Sequence, residues 1–187
     1  MLSAIIFISL LPITVIAETY TPTTVDYYNG HTYAVYDVYL TWSEAKDYCE
    51  KIGGHLVTIT SEQEQNNIQL LLDDSLMPMY WLGGEKKTSW RWITGESFNY
   101  TCWDIGEPNN IYSAENVLMI YGGRQKNNDY TWNDTINNHS NTYYKGQFGF
   151  ICEWDYMPDF DINKYRADFI LNSGWEETLE NTVSGQV

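Results

Sequence analysis

Positive charge is scarce in this chain. Ten Lys and Arg stand against 25 Asp and Glu, leaving a formal net charge of −15 over 187 residues. A field of that sign repels phosphate backbones and anionic lipid, which argues against nucleic acid and membrane surfaces as partners and leaves cations attractive. Solvation of an ordinary surface is the competing use of the same charge, and only local clustering separates the two. Sulfur is also in short supply: Cys49, Cys102 and Cys152 permit one disulfide and leave one thiol over. His31, His55 and His139 are far from one another in sequence and from any cysteine pair, so the short spacings of a sulfur-based zinc site are missing. No Gly-rich phosphate loop and no Gly-x-Ser-x-Gly elbow occurs, and the scattered histidines suggest no base for a nucleophile. Long apolar runs are confined to the N-terminus. Ala4 to Ala17 is apolar apart from Ser9, Pro12 and Thr14, too short for the roughly 20 residues of a transmembrane helix.

That stretch has the form of a signal-peptide core. It closes with Val15-Ile16-Ala17 before polar Glu18-Thr19, so cleavage is expected after Ala17 and the mature chain is expected to be secreted, extracellular or at the cell surface. The usual basic residue at the start is missing, which keeps an uncleaved anchor as the alternative. In such an oxidising compartment a cysteine pair would be bonded. The length suits one domain. The expected organisation is a signal peptide at 1–17, a leader at 18–29, a folded domain at 30–155 and an acidic tail at 156–187.

What the chain has in quantity is aromatic residues, 16% of the total and mostly Tyr and Trp, suited to half-buried strands and flat binding surfaces. His31 to Leu40 reads as a strand. Thr41-Trp42-Ser43-Glu44 is a capping box opening a helix whose Ala45, Tyr48, Cys49 and Ile52 share one face, and Gly53-Gly54 ends it. His55 to Ile59 reads as a short strand. Ser61-Glu62-Gln63-Glu64 is a second capping box before a helix with Ile68, Leu71 and Leu72 inward. Short aromatic strands follow at Tyr80 to Gly83, Trp90 to Ile93, Val117 to Tyr121, Tyr130 to Trp132 and Phe148 to Cys152. Between them Asn99 to Glu115 has little periodicity, and a loop that long in a compact domain is usually functional. In the tail, Ile162, Tyr165, Phe169 and Ile170 could form one amphipathic helix; packing on the domain, linking to another segment and disorder all stay open.

The long loop and its surroundings hold the densest oxygen chemistry. Glu107-Pro108-Asn109, Glu115 and Asn133-Asp134 supply carboxylate and amide oxygens with no Lys or Arg beside them in sequence. A hard cation such as Ca2+ takes about six to eight oxygens of these kinds. In an extended backbone, residues 107 and 109 point the same way, and Pro108 stiffens the link. Taken singly, Glu-Pro-Asn and Asn-Asp are each ordinary polar turns.

Taken in order, however, Tyr48-Cys49, Gly54-His55-Leu56-Val57-Thr58-Ile59, Trp81-Leu82-Gly83-Gly84, Trp90-Arg91-Trp92, Gly95-Glu96, Trp103, Gly106-Glu107-Pro108-Asn109-Asn110, Trp132-Asn133-Asp134 and Gly149-Phe150-Ile151-Cys152-Glu153 closely resemble the C-type lectin domain. The resemblance covers roughly 30–155. It implies an α+β fold, with two helices packed on antiparallel sheets and a long irregular Ca2+-binding loop. It further implies a disulfide between Cys49 and Cys152, and a sugar-binding Ca2+ held by Glu107, Asn109, Glu115, Asn133 and Asp134. Of these, Glu107, Asn109, Glu115 and Asn133 would also contact the sugar. In this family Glu-Pro-Asn goes with mannose-type sugars (mannose, N-acetylglucosamine, fucose) and Gln-Pro-Asp with galactose. The implied partner is therefore a glycan or polysaccharide. Single-site binding should be weak, so several copies or linked domains are expected, although no oligomerisation heptad is visible.

This chain departs from the family at several points. The family's second disulfide would fall at Val117 and Asn137, and an auxiliary Ca2+ site of many relatives uses acidic residues where Asn110 and Asn116 stand, so one ion is expected. Cys102 matches no family cysteine and is expected to be a small buried hydrophobe, with intermolecular pairing as the alternative. Asn99, Asn133 and Asn138 begin N-glycosylation sequons. Two other functions compete: a glycosidase using Glu107 and Glu115 as acid and base, which accounts for fewer of these residues, and a protein-binding lectin-like domain without sugar affinity.

Overall fold

The computed structural model describes residues 20–122, 130–139 and 144–158. The expected signal peptide and the tail helix of Ile162 to Ile170 lie outside the described residues. Strands β1 (Thr24–Tyr28) and β2 (His31–Tyr36) form an antiparallel hairpin. Its turn is Asn29-Gly30, with φ of 51° and 96°, the left-handed pair that a tight hairpin turn requires. The segment read as a leader therefore carries a strand. Asn-Gly between two β-branched and aromatic runs is the signal that identifies it.

Helix α1 (Trp42–Lys51) starts at the expected capping box. Thr41 Oγ1 accepts from the Glu44 N–H at 3.2 Å, and the Glu44 carboxylate accepts from the Thr41 N–H at 2.8 Å, holding Glu44 below the ordinary carboxylate range. Helix α2 (Glu62–Leu72) keeps only half of its expected box. Ser61 Oγ accepts from the Glu64 N–H at 3.2 Å, but the Glu64 carboxylate turns away. It accepts from the Thr60 N–H at 2.8 Å and from the Tyr33 hydroxyl at 2.8 Å. Glu64 is buried, and a buried carboxylate bonds whichever donors the interior offers.

The other strands are β3 (His55–Leu56), β4 (Met79–Lys86), β5 (Trp90–Trp92), β6 (Val117–Tyr121), β7 (Trp132–Thr135) and β8 (Phe148–Trp154). They form one sheet in the order β1-β2-β8-β4-β6-β7, with β3 also on β8 and β5 also on β4. The β4–β8 pair is parallel, so the sheet is mixed where antiparallel pairing was expected. The residues between the two strands, including β6 and β7, form the long crossover that a parallel pair needs. Strand β7 begins where the expected strand at Tyr130 to Trp132 ends. Tyr130 has a φ of 58°, which a strand residue cannot adopt.

The sheet is buried on both faces. Ala34, Tyr36, Met79, Trp81, Val117, Met119, Phe150, Cys152 and Trp154 face one core with Trp42, Ala45, Tyr48 and Cys49 of α1. Their alternating neighbours Tyr33, Val35, Tyr80, Leu82, Leu118, Ile120 and Ile151 face a second core with Ile68, Leu71 and Leu72 of α2. A strand inside such a sheet is apolar on both sides, which is why β8 reads as a run from Phe148 to Cys152 before Glu153 interrupts it. His139, which fits no metal set in the sequence, lies parallel to Phe148 with ring centroids 4.9 Å apart and has its pKa lowered by burial. At the site of the family's second disulfide, Asn137 bonds to α1 instead: Oδ1 accepts from the Ser43 N–H at 2.9 Å and Nδ2 donates to Ser43 Oγ at 2.9 Å.

Glu64→Ala should destabilise the domain more than Ser61→Ala. The first leaves the buried Tyr33 hydroxyl unpaired, at about 1–3 kcal/mol, and also frees the N–H of exposed Thr60, which water can satisfy. The second removes one helix cap, worth about 1 kcal/mol. Urea titrations of both variants test this; the reverse order would mean that capping outweighs the link to Tyr33.

Candidate functional site

The long loop between β5 and β6 is rooted by aromatic rings around Trp132. The Trp132 ring meets Trp92 at 5.6 Å, Tyr100 at 5.8 Å and Trp103 at 6.0 Å between centroids, all edge to face. Its indole N–H donates to Gln65 Oε1 at 2.9 Å. Its main-chain N–H donates to the Cys102 carbonyl at 2.7 Å, while its own carbonyl accepts from the Asp104 N–H at 2.8 Å. This residue thus joins the loop to β7 by both backbone and side chain. Cys102 is half-buried, and burial raises its thiol pKa, as a small packed hydrophobe rather than a reactive group.

From this root the chain reaches the Glu107-Pro108 peptide, which is cis. Glu107 and Asn109 then sit together, with Asn109 Nδ2 donating to Glu107 Oε1 at 2.7 Å. The organising group is Asp134, fully buried on β7. Its Oδ1 accepts from the Asn109 N–H and its Oδ2 from the Asn110 N–H, each at 3.0 Å. Asn110 turns the chain at a φ of 49°, a left-handed conformation that Asn tolerates. Glu115 folds back to accept from the Ile111 N–H at 2.7 Å, and its own N–H donates to Asn110 Oδ1 at 3.2 Å.

Glu107, Asn109, Glu115 and Asp134 are therefore brought together by these contacts. Asn133 adjoins them on β7, where its Nδ2 donates to the Tyr121 hydroxyl at 3.2 Å. Its Oδ1 is buried and has no hydrogen-bond partner. Burial raises the pKa of Glu107, and contact with Asp134 adds to the shift; burial and the Asp134 charge likewise raise Glu115. Among the described residues no Lys, Arg or His makes an ion pair with these three carboxylates. Crowded carboxylates without a cation, together with an unsatisfied amide oxygen, form a donor set that fits a hard divalent ion. Asn110 and Tyr121 were missed as supporting residues. Asn directly after the Glu-Pro-Asn turn is the signal for the first; the second depends on a β6–β7 register invisible in sequence.

The family profile described as Lectin C-type domain matches residues 38–153. This chain belongs to the C-type lectin family. It is 36% identical over 114 residues to the C-type lectin lectoxin-Lio1 of Erythrolamprus poecilogyrus, spanning 57% of this chain and 67% of that one. Among solved structures, the C-type lectin CEL-I of Cucumaria echinata superposes with a TM-score of 0.58 at 23% identity, covering 71% of this chain and 96% of its own. A calcium-independent type II antifreeze protein superposes with a TM-score of 0.57 at 22% identity, covering 74% and 97%. At such identities the likeness is one of fold. Family membership makes this C-type lectin a binding protein and not an enzyme, which removes the glycosidase alternative.

Replacing Asp134 should release the loop even without metal. In Asp134→Ala the Asn110 amide loses its acceptor while the Asn109 amide keeps Glu107 Oε2 at 3.0 Å, so the hydrogen-exchange protection of Asn110 should fall about tenfold or more, the equivalent of about 1.4 kcal/mol or more. Unchanged protection would mean that the aromatic root alone fixes the loop.

Proposed function

We propose that this C-type lectin binds mannose-type sugars through Ca2+ held by Glu107, Asn109, Glu115, Asn133 and Asp134. The observation that supports it most is the cluster of three mutually repelling carboxylates beside the unpartnered Asn133 Oδ1. Bound there, Ca2+ would supply a Lewis-acidic centre whose shell is completed by two vicinal sugar hydroxyls. Glu107 accepts from such hydroxyls, and Asn109 donates to them, exchanging the bond they now make with each other. Asp134 holds the main chain beneath both, so metal and sugar meet a positioned surface. Two hydroxyls on one ion make few contacts, so avidity comes from several copies. A protein-binding role is the second reading, favoured by Ile105 and Ile111, exposed by 99% and 49% along the same loop.

Retention on immobilised mannose, N-acetylglucosamine and fucose should require Ca2+ and vanish with chelator. It should also fall on mild acidification. Glu107 and Glu115 without metal hold protons to a higher pH than ordinary carboxylates, and Ca2+ must displace those protons. Binding is therefore full at neutral pH and lost as pH drops, starting above the usual carboxylate range. Glu107→Gln combined with Asn109→Asp should turn preference toward galactose, and Asp134→Ala should abolish retention on every sugar. Retention that ignores chelator or survives Asp134→Ala would leave the protein-binding reading in its place. Asn133 should carry no glycan in protein that binds, because its Nδ2 is engaged with Tyr121.

The same reading puts the mature chain outside the cell; among the described residues no helix is long and apolar enough to cross a membrane. Cys49 and Cys152 are both fully buried thiols in contact across the α1–β8 interface. Export would oxidise that pair, and closing a loop of about 100 residues would contribute on the order of 4–5 kcal/mol. Peptide mapping without reduction should recover Cys49 linked to Cys152. A bridge containing Cys102 would overturn the pairing.

A further inference from the structure

A second group of ligand-type side chains lies on the other side of the sheet from β7. Glu153 on β8 faces Tyr33 on β2 along one edge and His55 on β3 along the other. The same β2–β8 register pairs Thr32 with Trp154, and one step further it sets His31 opposite Asp155. Side chains two apart share a face, so His31, Glu153, Asp155 and His55 converge from three neighbouring chain segments. The ligand atoms of His31, Glu153 and Asp155 all lie within 4.8 Å of one another.

The separations among these three suit a small tetrahedral ion, and His55 stands at the edge of the group. His31 Nδ1 is 2.8 Å from Glu153 Oε1 and 3.2 Å from Asp155 Oδ1, and His55 Nε2 is 3.7 Å from the same Asp155 oxygen. Ligands at about 2.0–2.1 Å around tetrahedral zinc are roughly 3.3 Å apart, and these values bracket that edge. An ordinary imidazole–carboxylate ion pair would be hydrogen-bonded. Here His31 Nδ1 and His55 Nε2 are both buried atoms with no hydrogen-bond partner.

The surrounding contacts orient the ligands as metal sites require. His55 Nδ1 lies 3.0 Å from the Leu56 carbonyl; donating there leaves the lone pair on Nε2, which is turned toward Asp155. Glu153 is 2% exposed. Its Oε2 accepts from the Thr58 N–H at 2.9 Å, so Oε1 is the oxygen presented to His31. Partners of this kind fix tautomer and ring orientation in zinc centres. Two imidazoles and two carboxylates also suit zinc better than Ca2+, which prefers oxygen throughout.

We propose that His31, Glu153 and Asp155 form a zinc site, with His55, whose Nε2 is 3.7 Å from Asp155, drawn in as the fourth ligand when the ion binds, separate from the loop of Glu107 and Asn109. Strands β4 and β6 stand between β8 and β7, so roughly 14 Å of sheet separates the two sites. The site joins the first hairpin, β3 and the end of β8, and its zinc binding does not depend on sugar binding.

The test is calorimetric titration of the tag-free full-length chain, stripped of metal, with zinc chloride alone in a large excess of Ca2+ that occupies the loop. One zinc per chain should bind at micromolar concentration or tighter. His31→Ala and Asp155→Asn should each weaken binding at least tenfold, while Asp134→Ala should leave it unchanged. Asp155 is 71% exposed, so its substitution preserves the fold even if that of His31 does not. Co2+ in place of zinc should show the visible absorption of a tetrahedral nitrogen–oxygen site, lost in His55→Ala. Absence of zinc uptake in Ca2+, uptake unchanged in Asp155→Asn, or uptake lost in Asp134→Ala would each overturn the site.

Discussion

The long loop depends on one buried carboxylate. Asp134 accepts two consecutive main-chain N–H groups, from Asn109 and Asn110. A loop with no regular secondary structure beyond the single 3-10 turn at Ile111–Ser113 has few other ways to hold its backbone. A charge at zero exposure is tolerated only where donors surround it. The loop gives Asp134 those donors, and Asp134 gives the loop its shape. Trp132, two residues earlier, makes the arrangement rigid by tying the root of the same loop to β7. Glu107 and Glu115 are then held close to a third negative charge, a position that disfavours their ionisation without a cation.

Glu153 is a buried carboxylate of a different kind. Burial pushes its carboxyl up to about 8, while His55 and the Thr58 N–H pull the other way. Asp134 orders a loop, whereas Glu153 links β8 to the segment after β3 through Thr58. Both occupy strands of a sheet covered on both faces, where an unpartnered charge is costly. Glu64, bonded to Tyr33 and Thr60, obeys the same constraint from the helix side.

Features governed by near neighbours in sequence were legible there. The Thr41–Glu44 cap needs only residues three apart, and the α1 face follows from helical spacing; both appear as read. Much of the candidate site was legible as well, because Glu107, Asn109 and Glu115 lie within one loop. What escaped depends on long-range register. The partner of Glu64 is Tyr33 on another strand. Asn133 and Asp134, which taken alone pass for a polar turn, belong to β7 because β6 pairs with them. The convergence of His31 and His55 is hidden by their distance in sequence, since only pairing through β8 brings both beside Glu153. The hairpin at Asn29-Gly30 carries a local signal, since Asn-Gly favours the two left-handed residues of its turn.

Among the described residues strand β8 is the last strand in chain order, and it lies inside the sheet, bonded to β2, β3 and β4. On the ribosome, residues 24–147 emerge first with nothing to fill that slot, leaving the edges of β2 and β4 unpaired and both cores open along the gap. The domain therefore closes only after Trp154 has left the exit tunnel. Its slowest contacts join the earliest residues to the latest, as expected of a topology rich in distant pairings. A nascent chain interrupted before Phe148 would be a substrate for chaperones rather than a smaller lectin.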